Sequence, residues 1–132
     1  MNEEGKPTPA PGNAPAPTVP PQEPGPASLD DFKKIALRIG IVVEASDHPN
    51  ADRLLVLKVD LGEAAPRQLV AGIKSSYAAA DLIGKRVVVV ANLKPAMLRG
   101  VESQGMVLAA SDGSAIVLVA PERPIGAGSI VK

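Results

Sequence analysis

The stretch GKRVVVVANLKPAMLRGVESQGMVLAA, residues 84–110, decides the fold. The four valines Val87–Val90 and the apolar run starting at Met106 each read as a strand, because β-branched and aliphatic side chains fit a pleated, buried surface. Some fourteen residues, from Asn92 to Gly105, join them. Hairpin connections usually take about 2–5 residues. A longer one carrying Lys94, Arg99, Gln104, the glycines 100 and 105 and a methionine reads as a surface loop with a function.

Upstream, SLDDFKKIAL (28–37) offers Ser28 as a helix cap with Asp31 three residues on, a capping box with Asp in place of Glu. Leu29, Phe32, Ile35 and Ala36 then share one face, and Phe32 is expected in the core. Strand 1 is ALRIGIVVEAS, with Gly40 where a bulge or sharp bend would put it. The turn DHPNAD follows, then strand 2, RLLVLKVDLG, and strand 3, RQLVAG. SSYAAADLIG suits a short helix stopped at Gly84. KRVVVVAN is strand 4 and GMVLAAS strand 5; a hairpin turning at SDGS into AIVLV, and GAGSIVK, extend beyond. Three strands, a helix and two strands give an all-β chain in the order of the OB-fold, a five-stranded Greek-key barrel with a short helix between strands 3 and 4. Another small β-barrel or sandwich is the alternative.

Composition divides the chain. Residues 1–28 hold nine of the fourteen prolines and, beyond alanine, only Met1 and Val19 as aliphatics. Such a segment buries too little apolar surface to offset its ordering entropy and reads as a disordered Pro/Ala-rich linker or tail, leaving 29–132 as the folded domain. The chain is formally neutral; Glu3, Glu4 and Glu23 against Lys6 make the tail −2, hence 29–132 is +2. That is far from the charge that holds duplex DNA by bulk electrostatics, so a nucleic-acid site must be a local patch.

Without cysteine there are no disulfides, thiolate metal sites or thiol nucleophiles, and a single histidine leaves no zinc set. No cofactor or metal is expected. No G-x-S-x-G, P-loop, H-E-x-x-H or Rossmann glycine pattern is present, and the scattered carboxylates leave little for acid–base work, so no enzyme activity is expected. The longest strongly apolar run, Val87–Ala91, is too short to span a bilayer, and the opening Met-Asn-Glu-Glu lacks a signal-peptide pattern, so the expected location is the cytoplasm.

Three separated motifs, DHPNADRLLVLKVDLGE, RQLVAGIKSSY and the opening stretch, carry a resemblance. From Phe32 to Lys132 the chain resembles the tRNA-binding domain found at the C-terminus of many methionyl-tRNA synthetases, as a free-standing tRNA-binding protein and in eukaryotic synthetase cofactors. The resemblance implies an OB-fold, usually a homodimer, that recognises the folded shape of tRNA and has no catalysis of its own. It also implies that the loop after strand 4 contacts RNA, with Lys94 and Arg99 on phosphates and Ser103 and Gln104 as neutral donors. Many relatives carry basic residues where this chain has Ala96 and Met97. A secretion-associated chaperone family shares the fold and these motifs, which leaves binding of unfolded protein as the alternative function.

In OB-folds the loop after strand 1 borders the same face, which adds His48, Asn50 and Arg53 as candidates; Asp52 closes the turn. Lys74, Lys33 and Arg38 complete the set, although adjacent cations on a helix do not face the same way. Gly100, Gly105 and Met106 are expected to turn the chain and fill core, and Tyr77 to pack its ring on the barrel. With only Phe32 and Tyr77 as aromatics, there is no stacking platform for single strands, whereas a rigid RNA can be held through phosphate, 2′-OH and shape. Finally Ile116, Val117, Leu118, Val119, Ile130 and Val131 are too apolar for a free edge and are expected to pair with a second copy.

Overall fold

A computed structural model describes residues 25–132; the expected disorder of residues 1–24 lies outside the described residues. The elements run α1 (Leu29–Lys33), β1 (Leu37–Asp47), β2 (Leu55–Asp60), β3 (Arg67–Ala71), α2 (Ala79–Leu82), β4 (Arg86–Val90), β5 (Ala96–Leu98), β6 (Val101–Ser103), β7 (Met106–Val107), β8 (Ala109–Ser111), β9 (Ile116–Leu118) and β10 (Ile130–Val131). The main sheet has the order β3-β2-β1-β4-β7, antiparallel throughout, with β10 added to the start of β1. Residues 103–105 seal the free edge of β3. Gln104 donates its N–H to the Gln68 carbonyl (2.8 Å), and its side-chain oxygen accepts the Gln68 N–H (3.0 Å). The result is a nearly closed all-β barrel of OB type, with α2 between β3 and β4 as expected.

Strict alternation builds the interior. Along β2, Leu55, Leu57 and Val59 point inward while Val56, Lys58 and Asp60 alternate with them. With Val42, Leu61, Leu69, Leu82, Val87 and Val89 they form the most deeply buried apolar set. Gly40 serves space rather than a bulge. A Cβ there would stand 2.3 Å from Val59 Cγ1 and 3.0 Å from Leu61 Cδ2, while the register shift of β1 falls between Val42 and Glu44.

Ser28 and Asp31 form the expected capping box, with Asp31 N–H on Ser28 Oγ (3.0 Å) and Ser28 N–H on the Asp31 carboxylate (3.2 Å). Phe32, however, is 43% exposed and not in the core. The barrel interior is already filled by strand residues, and α1 lies outside it. There Phe32 and Ile35 line a groove of about 420 Å³ with Ile130 and Val131.

The fifth predicted strand is split at Leu108. Its N–H bonds the Val88 carbonyl and its own carbonyl accepts the Val119 N–H, both at 3.0 Å, so the chain leaves β4 there and turns to pair with β9. Asp112 closes the β8–β9 turn by accepting the N–H groups of Ser114 (2.9 Å) and Ala115 (3.0 Å), which, with the Ser114 hydroxyl, hold its carboxyl below the ordinary value. Ile116 and Leu118 pack on this chain's own core, helped by Leu118 N–H on the Tyr77 hydroxyl (3.0 Å). The Tyr77 ring is therefore on the barrel, as expected, and that part of the C-terminal apolar segment is covered from within. Val117, Val119 and Ile130 remain exposed.

Candidate nucleic-acid interface

The long connection is itself a β-hairpin. β5 and β6 pair Ala96 with Ser103, Met97 with Glu102 and Leu98 with Val101, leaving Arg99 and Gly100 as a two-residue turn. Both have positive φ, 54° and 87°, the signature of a type I′ turn, which matches the twist of the flanking strands. Glycine takes this conformation freely. Arginine does not, and Arg99 is the one non-glycine residue with positive φ among the described residues.

Contacts from the β1–β2 turn hold it. His48 is 5% exposed, and its Nδ1 accepts the Asn50 N–H (2.9 Å), so Nε2 carries the hydrogen and donates to the Leu98 carbonyl (2.9 Å). Asn50 Nδ2 donates to the Arg99 carbonyl (3.2 Å). Both peptide groups at the entry to the turn are thus bonded to a segment some fifty residues earlier in the chain.

The foot of the hairpin is clamped by side chains too. Ser103 is buried, its hydroxyl accepting the Val70 N–H (3.0 Å) and donating to the Gly105 carbonyl (2.9 Å). Arg67 donates to the carbonyls of Ala91 and Gln104 and is paired with Glu63, whose carboxyl that hydrogen bond, assisted by the charges of Arg67 and Arg38, holds below its usual value. Asn92 accepts the Ala36 N–H (2.9 Å) and donates to the Lys34 carbonyl (2.7 Å), tying the loop to the end of α1. Sequence reasoning missed Arg67 and Asn92. An Arg beginning a strand and an Asn ending one carry no pattern that reveals a backbone-capping role.

Of the sequence-predicted residues, Asn50, Arg53 and Arg99 border one shallow pocket of about 430 Å³. Lys74 adjoins it, its N–H on the Arg53 carbonyl (3.4 Å) and its ammonium 3.3 Å from Asp47. Lys94 lies on the other side of the hairpin, on the rim of an open groove of about 500 Å³ whose walls include Ile73, Leu93, Leu98, Met106 and Leu108. Lys33 and Arg38 do not join this set: they border the α1–β10 groove with Lys132. His48 and Ser103 are buried with their polar atoms bonded internally, and Gln104 is half-buried with its side-chain oxygen bonded across the barrel seam, so all three brace the hairpin.

One expectation about the loop is corrected. Met106 does not fill core but is exposed on the groove wall, because β7 is an outer two-residue strand that sends Val107 inward. Met97 is 71% exposed and pairs across the hairpin with Glu102, so the outward face of β5–β6 carries no cation between its ends. Gly105 is required by closure: a Cβ would come within 3.0 Å of Leu69 Cδ2 and the Val90 carbonyl.

Among the described residues no three His, Cys, Asp or Glu side chains gather as a metal set, and no helix is long and apolar enough to cross a membrane. What the site offers is cations on ordered loops.

Residues 37–130 match the family described as "Putative tRNA binding domain". The chain is 52% identical over 105 residues to a methionine–tRNA ligase of Thermococcus kodakarensis, an alignment covering 80% of this chain and 14% of that protein. The chain thus spans a small fraction of the curated relatives it matches. Among solved structures it is similar to a MetRS-related protein from Pyrococcus horikoshii (31% identity, TM-score 0.75, 82% of this chain and 99% of that one). It is equally similar to the chaperone CsaA of Bacillus anthracis (31% identity, TM-score 0.75, 82% and 100%).

Proposed function

The chain belongs to the tRNA-binding domain family, and from that premise we propose that it is a non-catalytic module that holds folded tRNA by shape and phosphate contact. It acts as an accessory domain or subunit of a synthetase, methionyl by its relatives, or as a free-standing tRNA-binding protein of the cytoplasm. The observation that carries this reading is the strained Arg99 turn, fixed by His48 and Asn50 beside Arg53. Arg99 and Arg53 take phosphates on one side of the hairpin and Lys94 on the other, with Lys74 available once its exposed pair with Asp47 opens. No aromatic platform for bases stands beside the hairpin: Tyr77 packs on the barrel, and the exposed Phe32 lies at the separate α1–β10 groove. A ligand held this way must bring its own rigidity.

Tethered to a synthetase body, such a module raises the local tRNA concentration without new catalytic contacts. A homodimer fits the same reading. Leu29, Phe32, Ile35 and Ile130 leave an exposed apolar surface of the kind that a second copy can cover. Because Ile116 and Leu118 are covered within the chain, this surface lies on the α1–β10 side instead.

Comparing intact tRNA, heat-unfolded tRNA and a single-stranded oligomer of equal length tests the proposal. Intact tRNA is expected to bind tightest; equal binding of the unfolded strands refutes recognition by shape. One observation favours a second reading. The apolar groove beside Lys94, on a barrel similar to a chaperone, suits an unfolded protein segment. That reading predicts binding of unfolded polypeptide in competition with tRNA and little sensitivity to salt.

A further inference from the structure

We infer that His48 and Asn50 are positioning residues that hold the Arg99 turn in its left-handed conformation and thereby set the aim of the Arg99 guanidinium. The inference rests on the RNA-contact reading of the hairpin and adds how that contact is kept in place.

A hairpin of two three-residue strands is marginal on its own in water. Its turn is also the wrong one for its sequence: type I′ favours Asn-Gly or Gly-Gly, and the first position here is Arg99 at φ 54°. Backbone strain of this kind persists where the surroundings over-determine it, and it gathers at functional sites. The surroundings are two hydrogen bonds. Leu98 presents its carbonyl to His48 Nε2 and Arg99 its carbonyl to Asn50 Nδ2, at 2.9 and 3.2 Å.

His48 suits the task because it has no freedom left. It is buried, its Nδ1 is filled by the Asn50 N–H, and Pro49 between the two residues fixes the backbone. A turn so anchored presents Arg99 without first losing hairpin entropy, a cost that a loose loop would pay on binding. The buried histidine thus acts on the ligand through the turn.

The test uses the full chain with a folded tRNA transcript, measuring affinity at one salt concentration and amide hydrogen exchange over residues 96–103. His48→Ala is expected to weaken binding about fivefold to tenfold, the loss of one charge-assisted contact. In an Arg99→Ala background it should add little, since the side chain being aimed is already gone. His48→Gln, which retains a donor for Leu98, should recover most of the affinity. Exchange over 96–103 should quicken in His48→Ala while β2 stays protected. Asn50→Ala strikes the same clamp from an exposed position and serves if the buried substitution unfolds the chain.

Unchanged exchange over 96–103 in both His48→Ala and Asn50→Ala overturns the inference. So do losses from His48→Ala and Arg99→Ala that simply add. If Arg99→Ala leaves tRNA affinity intact while the clamp variants loosen the turn, the contact reading of Arg99 falls and the positioning of the turn stands.

Discussion

Salt should weaken tRNA binding by an amount the structure fixes in advance. Arg53, Lys94 and Arg99 are exposed and, among the described residues, form no ion pair, whereas Lys74 is engaged with Asp47. Each phosphate neutralised by one of these three releases about 0.7–0.9 counterions, so log K should fall against log[salt] with a slope of roughly −2 to −3. Between 50 and 200 mM salt that is a loss of roughly 15- to 60-fold. Fluorescence anisotropy or filter retention at five or six salt concentrations reads the slope directly. Arg99→Ala should flatten it by nearly one, and so should Lys94→Ala. Lys33→Ala and Arg38→Ala are the internal controls, because both residues line the separate α1–β10 groove. A slope flatter than about −1 for the unmodified chain would refute the phosphate-contact argument and turn attention to the apolar groove. A slope that responds to Arg38 but not to Arg99 would refute the grouping of residues.

Three further outcomes are expected. Gly40→Ala forces a Cβ to 2.3 Å from Val59 Cγ1 inside a filled core, so it should destabilise the domain by about 1–3 kcal/mol in urea unfolding; unchanged stability would contradict the packing described. Ser103→Ala leaves the Val70 N–H and the Gly105 carbonyl without their buried partner and should cost about 1–3 kcal/mol, with faster exchange along the β3 edge. Glu63 has a folded-state pKa below its unfolded value, so its contribution to stability is present above the unfolded pKa near 4.5 and is lost as pH falls through the folded one; in acid titration of stability Glu63→Gln should lose less than the unmodified chain across that window.

How much of this was legible beforehand depends on whether a residue acts through periodicity or through a single long-range bond. Strand 2 announced itself because Leu55, Leu57 and Val59 alternate, and the capping box because Ser28 and Asp31 stand three apart. The long connection after β4 was visible as unusual, yet its folding into a hairpin was hidden, since Arg-Gly is a poor I′ turn by composition. Phe32 was misplaced because amphipathic spacing shows which face is apolar and not what lies beneath it. The candidate cations were chosen by charge, and charge alone does not separate Arg99 from Arg38. What separates them is that β1 carries Arg38 toward β10 while the His48 turn draws the hairpin toward Arg53.

The same contrast explains how a barrel of this kind can carry either of two occupations. Its interior is set by aliphatic alternation and is indifferent to what the loops do. The rim is set by a few side chains capping backbone groups: His48 and Asn50 on the turn, Ser103 and Gln104 on the seam, Arg67 and Asn92 at the foot. These caps decide which exposed groups stand together, and here they stand Arg53 and Arg99 at one pocket and Lys94 beside an apolar groove. Substituting an exposed cation should therefore change ligand affinity at nearly constant stability, whereas substituting a cap should change both. A cation variant that unfolds the domain, or a cap variant that alters neither property, would show that rim and interior are not divided in this way.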